Sequence, residues 1–459
     1  MTRPPFGFGP AGEGEDPQDP FGLSAMLGAG GGNLFAQLQR LMSWTGGPVN
    51  WDLAREVALG SLGEQDRAVT EQEKQEITDA GRLADVWLDP VTSLPSAGQE
   101  PQGWTRLEWL DNTQQAWRQL VDPVAGRVTE AMGAAMGQAL QQGIEGGTMP
   151  PELTGMLGGL GANPFGDVMK QVGGLVFGAQ VGQALGALAG EVLSSTEVGL
   201  PLGRSALLPA NVAAFADGLE VPLDEVRLYL ALREAAHQRL FAHVPWLKAH
   251  LFDAVDAYAR GIDIDVSALE GVVGSFDPTN PEALQEALGD GGLFTLEPTP
   301  AQQAALGRLE AALALVEGWV DLVVDTAASR TLPHAVALRE TLRRRRATGG
   351  PAEQTFATLV GLQLRPRRLR EAAALWQSLT DEKGIEGRDA LWAHPDLLPS
   401  AAELDEPTTQ AGVSEVDWDA GLRELDKDLD GRLDPDAGSA YGEDGEGGPE
   451  APGPQDAEG

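Results

Sequence analysis

The chain of 459 residues contains no cysteine, which excludes disulfide bonds, thiol catalysis and cysteine-ligated metal sites. It is also poor in basic residues: 32 lysines and arginines stand against 69 aspartates and glutamates, a formal net charge of −37. Phosphate backbones and anionic lipid surfaces are bound through lysine and arginine. The charge balance therefore argues against nucleic-acid binding and against docking on a membrane surface.

Two local patterns are missing as well. The first residues lack the basic and then apolar order of a secretory signal, so we expect a cytoplasmic protein. No stretch alternates β-branched and polar residues as a strand does, whereas apolar residues recur at helical spacing through the middle of the chain. These patterns predict a mainly α, multi-helix fold.

The two ends of the chain differ in composition from its middle. Residues 1–33 are rich in glycine and proline, and residues 401–459 carry 18 acidic against three basic residues. Both segments have too little apolar content to offset the entropy of ordering, so we predict that they are disordered. Between them we expect an N-terminal helical lobe over 34–164 and a second helical region over 165–400.

The acidic tail contains a weak calcium-site pattern. Asp426, Asp428, Asp430 and Asp434 match the first nine positions of a calcium-binding loop. Position twelve, however, is Ala437 in place of the bidentate glutamate. Weak calcium binding at Asp426–Asp434 and a solvated acidic tail both remain open.

Several helix boundaries follow from capping signals. Thr70 and Glu73 form a capping-box pattern for a helix that ends near Leu88, where Asp89-Pro90 follows. Proline in a first turn with acidic residues just after it marks the start of a helix over Leu223–Ala242. The other predicted helices are 104–120, 122–143, 166–194, a short one from Pro209, 246–260, 281–289, 299–328, 332–347, 353–363 and 366–380.

One predicted helix carries a ridge of glycines. A glycine stands at every fourth position from Gly174 to Gly190, so that one face lets another helix approach closely. Gln180 and Gln183 interrupt the apolar run, and its length is marginal for a bilayer. We expect a tightly packed helix of a soluble protein. A membrane-inserting helix and a self-association face are the alternatives.

The residues with the most chemical interest lie together on a predicted helix. Glu234 and His237 are three residues apart and share a helical face, as the base and a ligand of a hydrolytic zinc site do. Arg233 stands where the H-E-x-x-H motif has its first histidine. His243 falls on the third-ligand position but joins the others only if the helix ends after His237. The alternative is a structural histidine among ordinary helix residues.

Charged residues on later helices form two further groups. Glu317, Asp321 and Asp325 are spaced by four residues and lie on one face of an apolar helix, either as a site or as a solvated edge. Arginines cluster at 343–346 and 365–370. We interpret them as helix-end charges that pair with the acidic surplus, with an anion or partner site as the alternative.

Several stretches resemble the zincin-like metallopeptidase family of actinobacteria, in the branch of zinc-dependent metalloproteases and hydrolases. The resemblance spans about residues 1–400 and lies in these segments: Pro4–Gly9, Ser43–Trp51, Leu232–Leu247, Leu315–Asp321, Arg343–Arg346 and Leu362–Glu371. Family members commonly carry Arg-Glu-x-x-His, as this chain does. The Met-turn of many zinc proteases is missing, because no methionine follows Met169.

The resemblance implies a zincin-like, catalytic-type region over 165–400 that acts on a peptide or protein substrate. It implies Glu234 as the general base, His237 as a zinc ligand and Glu317 as a further ligand, with His243 an additional candidate. Arg233 would bind the substrate carboxylate or the developing oxyanion. The competing hypothesis is an inactive zincin-like scaffold that serves protein interactions.

Overall fold

A computed structural model of the chain describes residues 46–63, 66–145, 164–261, 299–347, 366–400 and 404. In this part of the chain the helices are α1 Trp51–Leu62, α2 Glu71–Leu88, α3 Arg106–Glu145, α4 Pro164–Glu191, α5 Pro209–Ala216, α6 Leu223–His243, α7 Pro245–Arg260, α8 Pro300–Ala328, α9 Ala335–Ala347 and α10 Pro366–Asp389. Two 3₁₀ turns follow, at Ala390–Ala393 and Pro395–Leu397. The predicted mainly α fold is confirmed.

The extended structure in the described residues is minimal. Strands β1, Gln102–Gly103, and β2, Ala206–Leu207, pair in parallel and tie the segment before α3 to the segment before α5. The chain divides into two compact units, residues 1–407 and 408–459, and every described residue belongs to the first. The boundary predicted near residue 164 stays a prediction.

Some predicted elements lie outside the described residues. They are segment 1–33, the helices 281–289 and 353–363, and the acidic tail with its calcium pattern, apart from Leu404.

Helix starts follow the capping chemistry in the sequence. The Thr70 hydroxyl accepts from the backbone N–H of Glu73 at 3.2 Å, and the Glu73 carboxylate accepts from the N–H of Thr70 at 2.9 Å. Thr299 and Gln302 form the same reciprocal pair at the start of α8. Each pair satisfies two backbone donors that a helix end leaves without partners, and such caps stabilise a helix by about 1 kcal/mol.

Helix α3 differs from the prediction of two helices. It runs unbroken from Arg106 to Glu145 with Pro123 inside it. A proline in a helix interior costs about 3 kcal/mol because it removes a hydrogen bond and crowds the preceding turn. On both sides of this proline the helix buries apolar side chains, among them Leu120, Val121, Val124, Ala125 and Val128. Their burial offsets that cost.

The glycine ridge of α4 lies against α1. A methyl group at Gly178 would sit 2.6 Å from the backbone oxygen of Asn50, and methyl groups at Gly182 and Gly186 would clash with Ala54 and Ser61. The glycines therefore allow close packing within the chain; self-association through the same helix stays a prediction. None of the helices in the described ranges has the length and apolar character needed to cross a bilayer.

Helix α6, which carries the Arg-Glu-x-x-His motif, is buried on several sides. It packs against α2 and α8, and also contacts α5, α7 and α9. Twelve of its residues are buried, including Arg233, Glu234 and His237. A helix covered on so many sides presents its polar side chains to other elements rather than to solvent.

The orientation of α8 is set by tryptophans. Trp376 in α10 donates from its ring nitrogen to the carbonyl of Leu315 at 2.8 Å, and its ring stacks on Trp392. Trp319 donates to the buried carboxylate of Asp389 at 2.9 Å. These contacts hold one face of α8 against α10, so Glu317 and Asp321 are turned toward α6 and α9.

Candidate functional site

Glu234 binds the loop that follows α4. Its Oε1 accepts from the Ser195 hydroxyl at 2.7 Å and from the Gln238 amide at 2.9 Å. Its Oε2 accepts from the Thr196 hydroxyl at 2.6 Å and the Thr196 N–H at 3.2 Å. The side chain is 1% exposed. Both carboxylate oxygens are thus engaged by protein donors, whereas a general base has to reach a water or a substrate proton.

His237 contacts a different element, helix α8. Its Nδ1 lies 2.9 Å from the carbonyl oxygen of Arg233, and its Nε2 lies 3.0 Å from Oε1 of Glu317. The ring is 1% exposed and stacks near Phe241 at a centroid distance of 6.0 Å. His237 thus joins two elements through both of its nitrogens.

Arg233 and Glu317 form the centre of an ion-pair network between α6, α8 and α9. Arg233 Nη2 donates to Glu317 Oε2 at 2.7 Å, and Nη1 donates to Asp321. Arg346 also donates to Glu317, and Arg343 Nε lies 3.2 Å from Asp321 Oδ2. The guanidinium of Arg233 therefore bridges two carboxylates that stand one helical turn apart.

The electrostatics of this network favour charged carboxylates. Burial acts to raise the pKa of Glu317, but the charges of Arg346 and Arg233 and the contact with His237 outweigh it and hold this pKa below its usual range. The pKa of Asp321 is likewise lowered: burial opposes the shift, and Arg233 and Arg346 overcome it. The pKa of Arg233 is raised by the same two carboxylates, against the effect of its burial.

The hydrogen-bond partners fix the role of His237. A backbone carbonyl only accepts hydrogen bonds, so the nitrogen facing Arg233 carries a hydrogen. Its Nε2 faces the Glu317 carboxylate at 3.0 Å, so each ring nitrogen has a protein partner within hydrogen-bond distance.

These side chains do not fit a zinc site. Zinc is held by three or four nitrogen, sulfur or oxygen donors whose lone pairs converge at about 2.0–2.3 Å. Here the guanidinium of Arg233 lies between the Glu317 and Asp321 carboxylates, and an arginine cannot coordinate zinc. Within the described ranges, no group of three or more histidine or acidic side chains has an arrangement that could hold a metal ion.

The other predicted ligand, His243, lies apart from this network. Helix α6 continues without a break to His243, so the ending that would bring it beside His237 does not occur. His243 is exposed, and its Nε2 lies 3.5 Å from the carbonyl of Ser96. The structure therefore brings Arg233, His237 and Glu317 together, directs Glu234 to a neighbouring loop, and leaves His243 outside.

Several residues of the site carry no recognisable signal in the sequence. Ser195 and Thr196 sit in a turn without a known motif, and Arg346 belongs to an arginine run that we interpreted as helix-end charge. Gly199 adopts a φ of +75°, and a Cβ there would lie 3.1 Å from Oε1 of Glu317. Of these residues, only the arginine run could have been recognised from the sequence, because an anion or partner site was the alternative interpretation of these arginines.

Comparison with solved structures finds a distant match in overall fold. The crystal structure of a putative hydrolase with a novel fold from Chloroflexus aurantiacus aligns with a TM-score of 0.51 and 19% sequence identity. The alignment covers 78% of this chain and 96% of the other chain. At this identity the likeness shows a shared fold alone. No curated protein matches the chain.

A family model decides the assignment. The model described as zincin-like metallopeptidase matches residues 49–409, which include α6 with its Arg-Glu-x-x-His segment and α8 with Glu317 and Asp321. The restriction to an actinobacterial branch stays a prediction. The match spans most of the chain, and the chain therefore belongs to the zincin-like metallopeptidase family.

Proposed function

We propose that this chain is a zincin-like binding protein in which an ion-pair network stands in place of a metal centre. The observation that carries the proposal is the position of Arg233, whose guanidinium pairs with both Glu317 and Asp321. A buried cation that neutralises two carboxylates holds α6 and α8 together, as a structural metal ion does in other proteins. In this function the fold serves to bind a partner, as in the hypothesis of an inactive zincin-like scaffold for protein interactions.

The burial of the motif residues supports the same proposal. Glu234 and His237 are each 1% exposed, and their polar atoms lie within hydrogen-bond distance of other protein groups. A peptidase needs its base and its polarising group at a surface where a peptide carbonyl can approach. The Glu234 carboxylate instead fixes the loop at Ser195 and Thr196, which is a structural task.

The second candidate is the activity predicted from the resemblance, zinc-dependent hydrolysis of a peptide bond in a peptide or protein substrate. Membership of the family favours it. The predicted roles, with Glu234 as base, Arg233 as oxyanion group and His237, Glu317 and His243 as ligands, would require Arg233 to leave both carboxylates. They would also require His243 to move from the far end of α6.

A hydrolysis assay separates the two functions. We expect the full chain to leave a fluorogenic peptide library uncleaved, with or without added zinc, and Glu234→Gln to behave in the same way. Cleavage by the unmodified chain that disappears in Glu234→Gln, while the variant remains folded, would establish the peptidase and reject the binding-protein function. Equal cleavage by both proteins would show an activity that does not use Glu234.

A further inference from the structure

A surface cleft lies directly over the ion-pair network. It has a volume of about 220 Å³, and Arg233 and Asp321 contribute to its lining. Leu342 and Leu369 supply apolar surface. Arginine is the commonest residue in the lining, and the six arginines are Arg233, Arg339, Arg343, Arg344, Arg346 and Arg370. This concentration of cations contrasts with a chain whose formal net charge is −37.

Ion pairs within the described residues leave this cleft with a positive excess. Two carboxylates line it, Asp321 and Glu340. Two more carboxylates pair with cleft arginines: Glu317 with Arg346, and Asp325 with Arg339. Arg344 pairs with Glu340, and the other five guanidinium groups stand against Glu317, Asp321 and Asp325, an excess of two positive charges. An excess of this kind in a concave site attracts an anion.

The rim arginines differ from the arginines that serve structure in this chain. Arg239 is 1% exposed and donates to Asp85, Asp89 and the carbonyl of Leu94. Arg343, by contrast, is 37% exposed and its Nε reaches Asp321 at 3.2 Å. Arg370 is exposed and has no ion-pair partner among the described residues. Arg343 and Arg370 therefore keep donors available for a ligand.

We propose that this cleft binds a small ligand through a phosphate group. A phosphate monoester carries about two negative charges at neutral pH and compact acceptor oxygens, which match the excess of two charges and the forked donors of arginine. The volume is below that of pockets for drug-sized molecules, which favours a compact ligand. Leu342 and Leu369 offer contact to the carbon part of such a ligand.

This inference rests on the proposed function in one respect, because the pairs with Glu317 and Asp321 hold Arg233 in the floor of the cleft. The proposed function and the phosphate site can be rejected independently of each other. Zinc content measures the network, and phosphate binding measures the cleft. Zinc bound at His237 together with undiminished phosphate binding would reject the proposed function and keep the anion site.

The test is isothermal titration of the full chain at low ionic strength with inorganic phosphate and phenyl phosphate, beside sulfate and succinate. We expect phosphate binding that weakens about tenfold or more in Arg343→Gln and in Arg370→Gln, since each variant removes a charge-assisted donor. The matched control is Arg127→Gln, which removes an exposed arginine paired with Glu130 on α3 and should bind phosphate as the unmodified chain does.

Three results would overturn the inference. They are the absence of binding heat at millimolar phosphate, unchanged affinity in both cleft variants, and an equal loss in Arg127→Gln, which would indicate general charge attraction. Succinate binding as tight as phosphate binding would overturn the assignment to a phosphate group. If Arg343→Gln fails to fold, Arg370→Gln at its exposed position decides the outcome.

Discussion

Arg233 Nη2 donates to Glu317 Oε2 across 2.7 Å, with side chains that are 9% and 8% exposed. This contact joins α6, which carries the Arg-Glu-x-x-His motif, to α8, which carries Glu317. It gives Arg233 a definite role, because the same guanidinium also pairs with Asp321. The residue that replaces the first histidine of a zinc motif thus neutralises the carboxylates beside it.

Replacement of Arg233 by methionine should destabilise the protein strongly. The variant keeps much of the side-chain volume but leaves Glu317 and Asp321 without their shared cation, and breaking a buried ion pair costs about 3–5 kcal/mol. The measurement is the free energy of unfolding from denaturant titration. The matched control is Arg55→Met, which removes an exposed pair with Asp111 and should cost about 0–1 kcal/mol.

A double variant sharpens this prediction. Adding Glu317→Gln to Arg233→Met removes the charge of one of the two carboxylates that lost a partner, so part of the lost stability should return. Equal small losses in Arg233→Met and Arg55→Met would mean that the network contributes little to folding.

Acidification should weaken the same network and, separately, the contacts of the buried Asp389 carboxylate. The pKa values of Glu317, Asp321 and Asp389 are lowered in the folded protein, so each group stabilises the fold at pH values above its unfolded pKa of about 4. Below that pH the unfolded chain takes up protons first, and the stability from these groups falls as the pH drops toward their folded pKa values. Unfolding titrations at pH 7, 5, 4 and 3 measure this loss.

The Glu317→Gln variant serves as the control for acid sensitivity. It is less stable at neutral pH but should lose less additional stability between pH 5 and pH 3 than the unmodified chain does. A loss of the same size in both proteins would assign acid sensitivity to other carboxylates.

Gly199 should be intolerant of a side chain. Its φ of +75° is strained for alanine, and the added methyl would crowd the Glu317 carboxylate at 3.1 Å. Gly218 has a similar φ of +82° with open space around it. We expect Gly218→Ala to cost about 1 kcal/mol from strain alone and Gly199→Ala to cost more, as thermal unfolding would measure. An equal loss of stability in the two variants would show that the added methyl group at position 199 does not crowd the Glu317 carboxylate.

The sequence predicted the helices of this protein better than it predicted the contacts of the candidate site. Local signals were enough for a helix such as α2, because the capping pair of Thr70 and Glu73 acts within one turn. They failed at Pro123, where burial of neighbouring apolar residues keeps the helix continuous. Spacing also placed Arg233, Glu234 and His237 on one helix, α6.

Spacing could not reveal which element each side chain meets. Adjacent positions on a helix point about 100° apart, so Arg233 faces α8 while Glu234 faces the loop at Ser195. That difference depends on how α4, α6 and α8 pack, and no local pattern encodes it. For the same reason the partners Arg346 and Thr196, which are distant in sequence, were not predicted.

The most direct test of the central claim is the zinc content of the purified, tag-free full chain, measured by mass spectrometry beside His237→Ala and after incubation with zinc. The account predicts far less than one zinc per chain in both proteins, because Arg233 occupies the space between the Glu317 and Asp321 carboxylates and both ring nitrogens of His237 have protein partners. Near-stoichiometric zinc in the unmodified chain that disappears in His237→Ala would contradict it.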